Sequence, residues 1–208
     1  MRIQPIVEGY GEVAAVPVLL RRLRDEAEAF QIEIASPIRK RRHELITEPL
    51  LRKAIRLALL QEGCAAVLIL FDSDDDCPKE LAPTIAAWAQ DEAGRIPCAV
   101  VMAVREHEAW LLASLASLRG RRGIVADAAD HPAPEAVRGA KEQISDAMAF
   151  GRSYSETADQ AALTAVFDLS RAYRACRAFR HCVAAFGHLA TAMGSQLPSW
   201  PPVAWEES

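Results

Sequence analysis

The sequence contains little of what marks several common protein classes. Aromatic residues make up only 6% of its 208 residues, and its five cysteines form no CxxC pair. Their odd number and mostly apolar surroundings indicate free thiols in a reducing compartment, so we expect a cytoplasmic protein. No apolar run is both long enough and free enough of charge to cross a bilayer. Residues 1–12 hold only a short apolar stretch, so we also expect no secretory signal.

Several catalytic and cofactor-binding motifs are missing as well. The five histidines show neither HxH nor HExxH spacing, which argues against a zinc site. The sequence has no GxSxG, no GxxxxGKS/T and no GxGxxG after a strand. These absences argue against a hydrolase nucleophile elbow, a P-loop and a dinucleotide-binding loop. The pattern Gly9-Tyr10-Gly11 is too short to hold a dinucleotide.

The distribution of charge leaves nucleic acid open as a ligand. A net charge of −4 argues against a surface coated in positive potential, but a bound metal ion would add local positive charge. Basic residues are concentrated in one run, which consists of Arg39, Lys40, Arg41 and Arg42. Such a run is either a solvated loop or a contact surface for nucleic-acid phosphates. Lys141 is a further candidate for a phosphate contact, with a packing role as the alternative.

The first 118 residues alternate short apolar runs with amphipathic helical patterns. The apolar runs predict strands at 2–8, 31–38, 65–71 and 97–104. The helical patterns cover 12–29, 47–62, 78–93 and 107–118. This alternation predicts βαβ units, and therefore an α/β fold with a mainly parallel sheet of about four strands flanked by helices.

From residue 119 onward the pattern changes. Residues 119–134 have the composition of a loop, and helices are predicted at 134–149, 157–173 and 174–193. The last segment, from residue 195, is rich in proline and tryptophan and is predicted to be irregular. We therefore predict an α/β domain over residues 1–118 and an all-helical C-terminal extension with an irregular tail over 119–208.

Acidic residues follow three of the predicted strands. These residues are Glu8 with Glu12, Asp72 with Asp74, and Glu106. Because the carboxyl ends of parallel strands open onto one edge of a sheet, where ligands bind, we expect these carboxylates to meet there. Crowded carboxylates are costly unless a cation lies among them, and hard oxygen ligands suit Mg²⁺ or Mn²⁺. The sequence therefore predicts a metal site with Glu8, Asp72 and Asp74 at its centre.

The other acidic residues have alternative interpretations. Glu12 could share the site or could offset the dipole of its helix. Asp76 could be a metal ligand or the cap of the next helix. Glu106 is a metal candidate, whereas Glu108 could pair with Arg105.

Two segments taken together resemble the Toprim domain. In residues 6–12 a strand ends in Glu-Gly with a second Glu three residues after the Gly, and in 68–76 a hydrophobic strand ends in Asp-x-Asp. The Toprim fold is shared by DnaG-type primases, type IA and type II topoisomerases, the overcoming-lysogenization-defect (OLD) nucleases, RecR and a small ribosomal-RNA maturase. The chain looks most like an uncharacterised Toprim-like bacterial family related to the OLD-type nucleases. That family carries a further Glu-x-Glu-Ala-Trp-Leu-Leu segment, here residues 106–112.

The resemblance covers about residues 1–118 and the helical extension only loosely. It implies Mg²⁺-dependent chemistry on phosphodiester bonds, with Glu8, Asp72 and Asp74 as metal ligands or catalytic groups. The OLD-type pattern adds Glu12 to this set. The expected activity is a small nuclease acting on DNA or RNA, with a companion ATPase as a candidate partner. The alternatives are a non-catalytic Toprim module that binds nucleic acid or such a partner, and a phosphohydrolase acting on a small nucleotide.

Overall fold

The computed structural model describes residues 1–206, so the last two residues of the predicted irregular tail, 207 and 208, lie outside the description. Within residues 1–206, five strands form one parallel sheet: β1 (Arg2–Val7), β2 (Glu33–Ile34), β3 (Ile38–Arg39), β4 (Cys64–Asp72) and β5 (Cys98–Ala103). The sheet order is β2-β1-β4-β5, and β3 also pairs with β1. The predicted parallel α/β fold is confirmed, with five strands in place of about four.

The predicted strand at 31–38 is two short strands at the sheet edge. Pro37 has no backbone N–H to donate to a ladder, so pairing with β1 is interrupted between β2 and β3. The Gln4 side chain covers part of this gap, since its Nε2 donates a hydrogen bond to the Ser36 carbonyl at 2.8 Å. Together β2 and β3 form one edge of the sheet.

Helices connect the strands and cover both faces of the sheet. They are α1 (Tyr10–Glu26), α2 (Arg42–Leu45), α3 (Glu48–Leu59), α4 (Pro78–Ala93) and α5 (Ala109–Leu112). The helix predicted at 107–118 is shorter than expected, because α5 ends after one turn and a 3₁₀ helix, Leu115–Leu118, follows it.

Strand β4 lies in the middle of the sheet and is buried on both faces. Ile69 and Phe71 belong to the hydrophobic cluster that includes buried residues of α3 and α4. Leu68 and Leu70 point the other way, into a cluster with α1 and the C-terminal helices. This alternation explains the continuous apolar run that predicts the strand.

The C-terminal part is helical but more broken than the sequence predicts. Its helices are α6 (Ala140–Asp146), α7 (Ala161–Thr164), α8 (Leu169–Ala175) and α9 (Arg177–Ala192), with a π-helical turn at Glu156–Gln160 and 3₁₀ turns at Pro134–Ala136 and Val203–Trp205. Gly139, with φ of +72°, precedes α6, and the Asp168 side chain caps α8, so the predicted helices 134–149 and 157–173 are interrupted.

The helical part packs against one face of the sheet. Phe179 of α9 belongs to the same hydrophobic cluster as Leu70 of β4, and the His181 ring nitrogen lies 3.0 Å from the Val100 carbonyl of β5. The division of the chain at residue 118 stays a prediction. Across residues 1–206, no helix combines the length and apolar character needed to cross a membrane.

Candidate functional site

The carboxyl ends of β1, β4 and β5 lie side by side at one edge of the sheet. Val7 of β1 pairs with Leu70 of β4, and Asp72 of β4 pairs with Ala103 of β5. Glu8 follows β1 directly, and residues 106–108 follow β5 after a turn. The strands thus bring acidic residues from distant parts of the chain to this edge, as the sequence predicts.

Glu12 is folded back onto the turn between β1 and α1. Its Oε2 accepts hydrogen bonds from the backbone N–H groups of Glu8, at 2.9 Å, and Gly9, at 2.8 Å. The side chain is buried, and burial raises its pKa to about 7 despite these two bonds. The charges of Glu8 and Glu108 raise the pKa further. Near neutral pH, Glu12 therefore exchanges between its protonated and ionised forms.

Asp72 ends the central strand and is held toward the residues that follow β5. Its Oδ1 accepts a hydrogen bond from the His107 backbone N–H at 2.8 Å. Burial raises the pKa of Asp72 well above its ordinary value, and the charges of Glu12 and Glu108 add to this. Lys141 acts in the opposite direction. The charges of Glu12 and Glu108, which are buried, act on half-buried Asp72, and we call these three residues the buried acid cluster.

Glu108 is the member of this cluster that the sequence does not predict. It is fully buried, and its Oε1 accepts hydrogen bonds from Tyr154 Oη at 2.8 Å and Gln160 Nε2 at 3.1 Å. The suggested pairing with Arg105 is wrong, because Arg105 pairs with Asp75 and the bonded oxygen of Glu108 is held by these partners from the C-terminal part. Burial raises the pKa of Glu108, and Lys141 opposes this. A signal was present in the sequence, since Glu108 directly precedes the wholly buried apolar residues of α5.

Lys141 supplies positive charge beside the buried acid cluster. Its Nζ lies 2.5 Å from Glu156 Oε1. Burial alone would lower the pKa of Lys141, but the hydrogen bond to Glu156 and the charges of Glu108 and Asp72 raise it on balance. Lys141, which the sequence predicts as a phosphate contact, is therefore protonated and lies near the carboxyl edge of the sheet.

His107 is a second buried residue that the sequence does not single out. Its ring packs on Trp110 with centroids 4.5 Å apart, and neither ring nitrogen has a hydrogen-bond partner within residues 1–206. Burial lowers its pKa to about 4. His107 is therefore neutral, and its backbone contributes to the site through Asp72.

Asp74 and Asp76 lie outside the buried acid cluster, on the exposed loop after β4. Both pair with Arg42, at 3.4 Å for Asp74 Oδ2 and 2.5 Å for Asp76 Oδ2. Arg42 also donates hydrogen bonds to the carbonyls of Asp72 and Ser73. A positive φ of 49° at Asp74 turns the chain, so the segment is not extended, and Asp74 is exposed whereas Asp72 is not. Arg42 of α2 therefore holds the conformation of this loop through contacts with both its backbone and its side chains.

Glu8 connects the buried acid cluster to the loop after β4. Burial raises the pKa of Glu8, and the negative charge of Asp74 raises it further. The positive charges of Arg42 and Lys141 lower it. Glu8 therefore lies within electrostatic reach of both groups of acids. It also has a buried carboxyl oxygen, Oε2, that finds no hydrogen-bond partner in the part of the chain that the structure describes.

The Glu106 side chain caps the N-terminus of helix α6. Its Oε1 accepts hydrogen bonds from the backbone N–H groups of Gly139, at 3.1 Å, and Ala140, at 3.3 Å. It also lines a cleft of about 190 Å³ together with Arg105, Arg138 and neighbouring residues. The predicted metal ligand thus has one oxygen engaged in the fold and one, Oε2, buried without a partner among the described residues.

The remaining residues of the predicted basic run have separate roles. Arg39 lies over the ring of Tyr10, with its Cζ 4.0 Å from the ring centroid. Lys40 pairs with Glu44 at 3.3 Å, and Arg41 is exposed. The run is therefore not a uniform basic surface.

The chemistry of the oxygen donors fits a hard divalent cation. Three buried carboxyl oxygens lack a partner within residues 1–206, those of Glu8, Glu106 and Glu108. In the same part of the chain, however, no three His, Cys, Asp or Glu side chains are arranged to hold a metal ion. Glu12 is bonded to its own turn and Asp74 to Arg42, so a cation would have to draw these side chains together.

Fold and site together define an α/β protein with buried acids at the carboxyl edge of a parallel sheet. The chain belongs to the family of the domain of unknown function DUF4276, whose model matches residues 7–186. No match was found among curated proteins or among solved structures. The matched span contains the whole buried acid cluster and the C-terminal residues that contact it.

Proposed function

We propose that the protein performs Mg²⁺-dependent chemistry on phosphodiester bonds, as a small nuclease acting on DNA or RNA. The observation that supports this most is the gathering of carboxylates from three strand ends at one edge, with unpartnered buried oxygens on Glu8 and Glu108. Carboxyls so placed disfavour one another's ionisation, and a cation among them would relieve this. The Toprim resemblance of residues 6–12 and 68–76 leads to the same proposal.

In this proposal Glu8 and Asp72 hold the cation, joined by Asp74 once its contact with Arg42 is broken. When bound, a divalent cation polarises a phosphate oxygen and lowers the pKa of a coordinated water. Lys141, protonated at the same edge, offers positive charge to the phosphate. Without a cation the pKa of Glu12 is about 7, and a cation held nearby would lower it, so that Glu12 would be ionised near neutral pH and able to accept a proton.

Glu108 acts through its neighbours. Tyr154 and Gln160 fix its carboxyl, and its charge helps to keep Lys141 protonated. Tyr154, Gln160 and Lys141 all belong to the helical extension, so the extension positions the side chains of the proposed site. Glu108 is a positioning residue in this proposal.

A second candidate is a non-catalytic Toprim-like module that binds nucleic acid or a partner ATPase. It is favoured by the observation that, across residues 1–206, no three metal-donor side chains stand ready around one point. In that case the contacts of Glu12 with its turn and of Asp74 with Arg42 would persist in the working protein.

The proposal includes a cytoplasmic location. All five cysteines are free thiols, and Cys176 and Cys182 are buried. A reducing compartment keeps such thiols unpaired.

The test measures metal binding and cleavage on the same variants. Calorimetric titration with MnCl₂ is combined with incubation of single-stranded and duplex DNA and of RNA, with Mg²⁺ or Mn²⁺. Wild-type protein is compared with Glu8→Gln, Asp72→Asn and the control Glu62→Gln, an exposed residue that precedes β4 at the opposite edge. Thermal unfolding verifies that each variant is folded.

We expect Mn²⁺ binding and cleavage in wild type and in Glu62→Gln, and loss of both in Glu8→Gln and Asp72→Asn. Metal binding without cleavage of any substrate would favour the second candidate. If wild-type protein binds no Mn²⁺ and leaves every nucleic acid intact, the nuclease proposal is wrong.

A further inference from the structure

We propose that Tyr10 and Arg39 form a stacking platform for an unpaired nucleobase, so that the nucleic acid bound at this edge is single-stranded. The inference deepens the proposed function and rests on it for the identity of the ligand as nucleic acid. It adds the class of strand and the two side chains that select it.

Tyr10 is an exposed aromatic residue at the start of α1, directly after the turn that carries the proposed metal ligand Glu8. It stands two residues after Glu8 and two before Glu12, and 68% of its surface is exposed. No core packing accounts for a ring held in this way at the start of α1. Its place beside this turn means that anything stacked on the ring lies next to the carboxylate edge.

Arg39 holds the ring and keeps its own charge uncompensated. Its guanidinium lies 4.0 Å over the ring of Tyr10 and donates hydrogen bonds to Tyr10 Oη and to the Glu8 carbonyl, both at 3.2 Å. Both acceptors are neutral, and no carboxylate in residues 1–206 forms an ion pair with Arg39. Its neighbours differ, since Lys40 pairs with Glu44 and Arg42 pairs with two aspartates.

An exposed aromatic ring beside an unpaired guanidinium has the chemistry that single strands require. Bases stack on aromatic rings and on guanidinium planes, and every base offers a face for this. In a duplex these faces are already stacked on one another, so the platform would have nothing to bind. The charge of Arg39 is then available to the phosphate next to the stacked base.

The platform is tested by fluorescence anisotropy with labelled oligothymidylate and oligouridylate of about 20 nucleotides, longer than the 4–16 nucleotides that single-strand sites cover. A duplex of equal length is the comparison. All titrations are made in EDTA, so that no cleavage can occur. The variants are Tyr10→Ala, Tyr10→Phe and Arg39→Ala, with Phe30→Ala and Arg95→Ala as controls.

The controls match the test residues in type, and Phe30 also matches Tyr10 in exposure, but both lie at the other edge of the sheet. Phe30 is 66% exposed and precedes β2, whose pairing partner is the start of β1. Arg95 is exposed and precedes β5.

We expect wild-type protein to bind single strands more tightly than duplex. Tyr10→Ala should weaken single-strand binding about tenfold, whereas Tyr10→Phe should stay within about twofold of wild type because the ring remains. Arg39→Ala should lower the slope of log K against log salt by about 0.7. Phe30→Ala and Arg95→Ala should leave both quantities unchanged.

Three results would overturn the platform: no binding of single strands by wild type, tighter binding of duplex, or equal single-strand affinity of wild type and Tyr10→Ala. The two proposals can fail separately. Strand binding that depends on Tyr10 in a protein that never cleaves refutes the nuclease only. Cleavage that is indifferent to Tyr10, with equal affinities in EDTA, refutes the platform only.

Discussion

Glu12 makes the stability of the fold depend on pH in an unusual direction. Its pKa is about 7 against an ordinary 4.5, because burial disfavours the charged form more than the two backbone hydrogen bonds favour it. A carboxyl that binds its proton more tightly in the folded state stabilises the fold at low pH. That contribution is lost as pH rises from the unfolded pKa through the folded one. Salt-bridged carboxylates behave in the opposite way.

The size of the effect follows from the two pKa values. Each pKa unit corresponds to about 1.4 kcal/mol, so Glu12 alone accounts for about 3 kcal/mol, most of which is lost between pH 5 and pH 8. Asp72 and Glu108 also have raised pKa values and act in the same direction. Glu12→Gln resembles the protonated form at every pH. At pH 8 this variant should therefore be about 2 kcal/mol more stable than wild type, whereas at pH 5 the two should be similar.

The measurement is urea unfolding followed by tryptophan fluorescence at pH 5 and pH 8, in buffer with EDTA. Trp110 is buried at the site and packs on Phe179, so its emission reports the loss of packing. Glu26→Gln, an exposed change at the far end of α1, is the matched control and should keep the wild-type pH dependence. A wild-type free energy of unfolding that stays level or rises toward pH 8 would refute this reasoning. So would a decline of the same size in Glu12→Gln.

Two further predictions concern the packing of the edge. A Cβ at Gly11 would collide with Gln160 Oε1, whereas a Cβ at Gly9 would have its nearest atom at 3.6 Å. Gly11→Ala should therefore lower the free energy of unfolding by about 1–3 kcal/mol, and Gly9→Ala should lower it by much less. Equal losses for the two variants in urea unfolding would contradict the contact between Gly11 and Gln160. Arg42→Ala should lower the free energy of unfolding by about 2 kcal/mol, because it leaves two backbone carbonyls without their donor. The matched change Arg41→Ala, at an exposed residue, should alter the free energy of unfolding by no more than about 0.5 kcal/mol. Similar melting temperatures for both variants would show that Arg42 does not hold the loop after β4.

The architecture could be predicted because its signals are local. Strand β4 is buried on both faces, and a continuous apolar run is the direct record of that environment. Parallel order follows from the helices between strands, and the position of Glu8 and Asp72 at one edge follows from parallel order. The prediction failed where two local breakers inside expected elements were passed over: Pro37 divides an expected strand, and Gly139 interrupts an expected helix.

The contacts inside the site could not be predicted in the same way. Glu108 meets Tyr154 across 46 residues and Gln160 across 52, and no periodicity relates positions so far apart. The role of Glu12 has a local signal, since its carboxyl accepts a hydrogen bond from the backbone N–H of the N-cap residue Gly9, which is the Glu half of a capping box. From the sequence we considered two roles for Glu12, helix-dipole compensation and metal binding. In the structure its carboxyl instead accepts hydrogen bonds from the backbone of the turn between β1 and α1.

The reach of the helical extension back to Glu108 also sets an order of events during synthesis. A ribosome releases the strands first, and the edge they form exists before its last partners have been made. Until residue 160 emerges, Glu108 can form hydrogen bonds only with water in place of Tyr154 and Gln160. Gly11 likewise lacks the Gln160 side chain that packs against it. A nascent chain therefore carries Glu108 without these contacts, and the arrangement described above is complete only when Tyr154 and Gln160 have folded onto it.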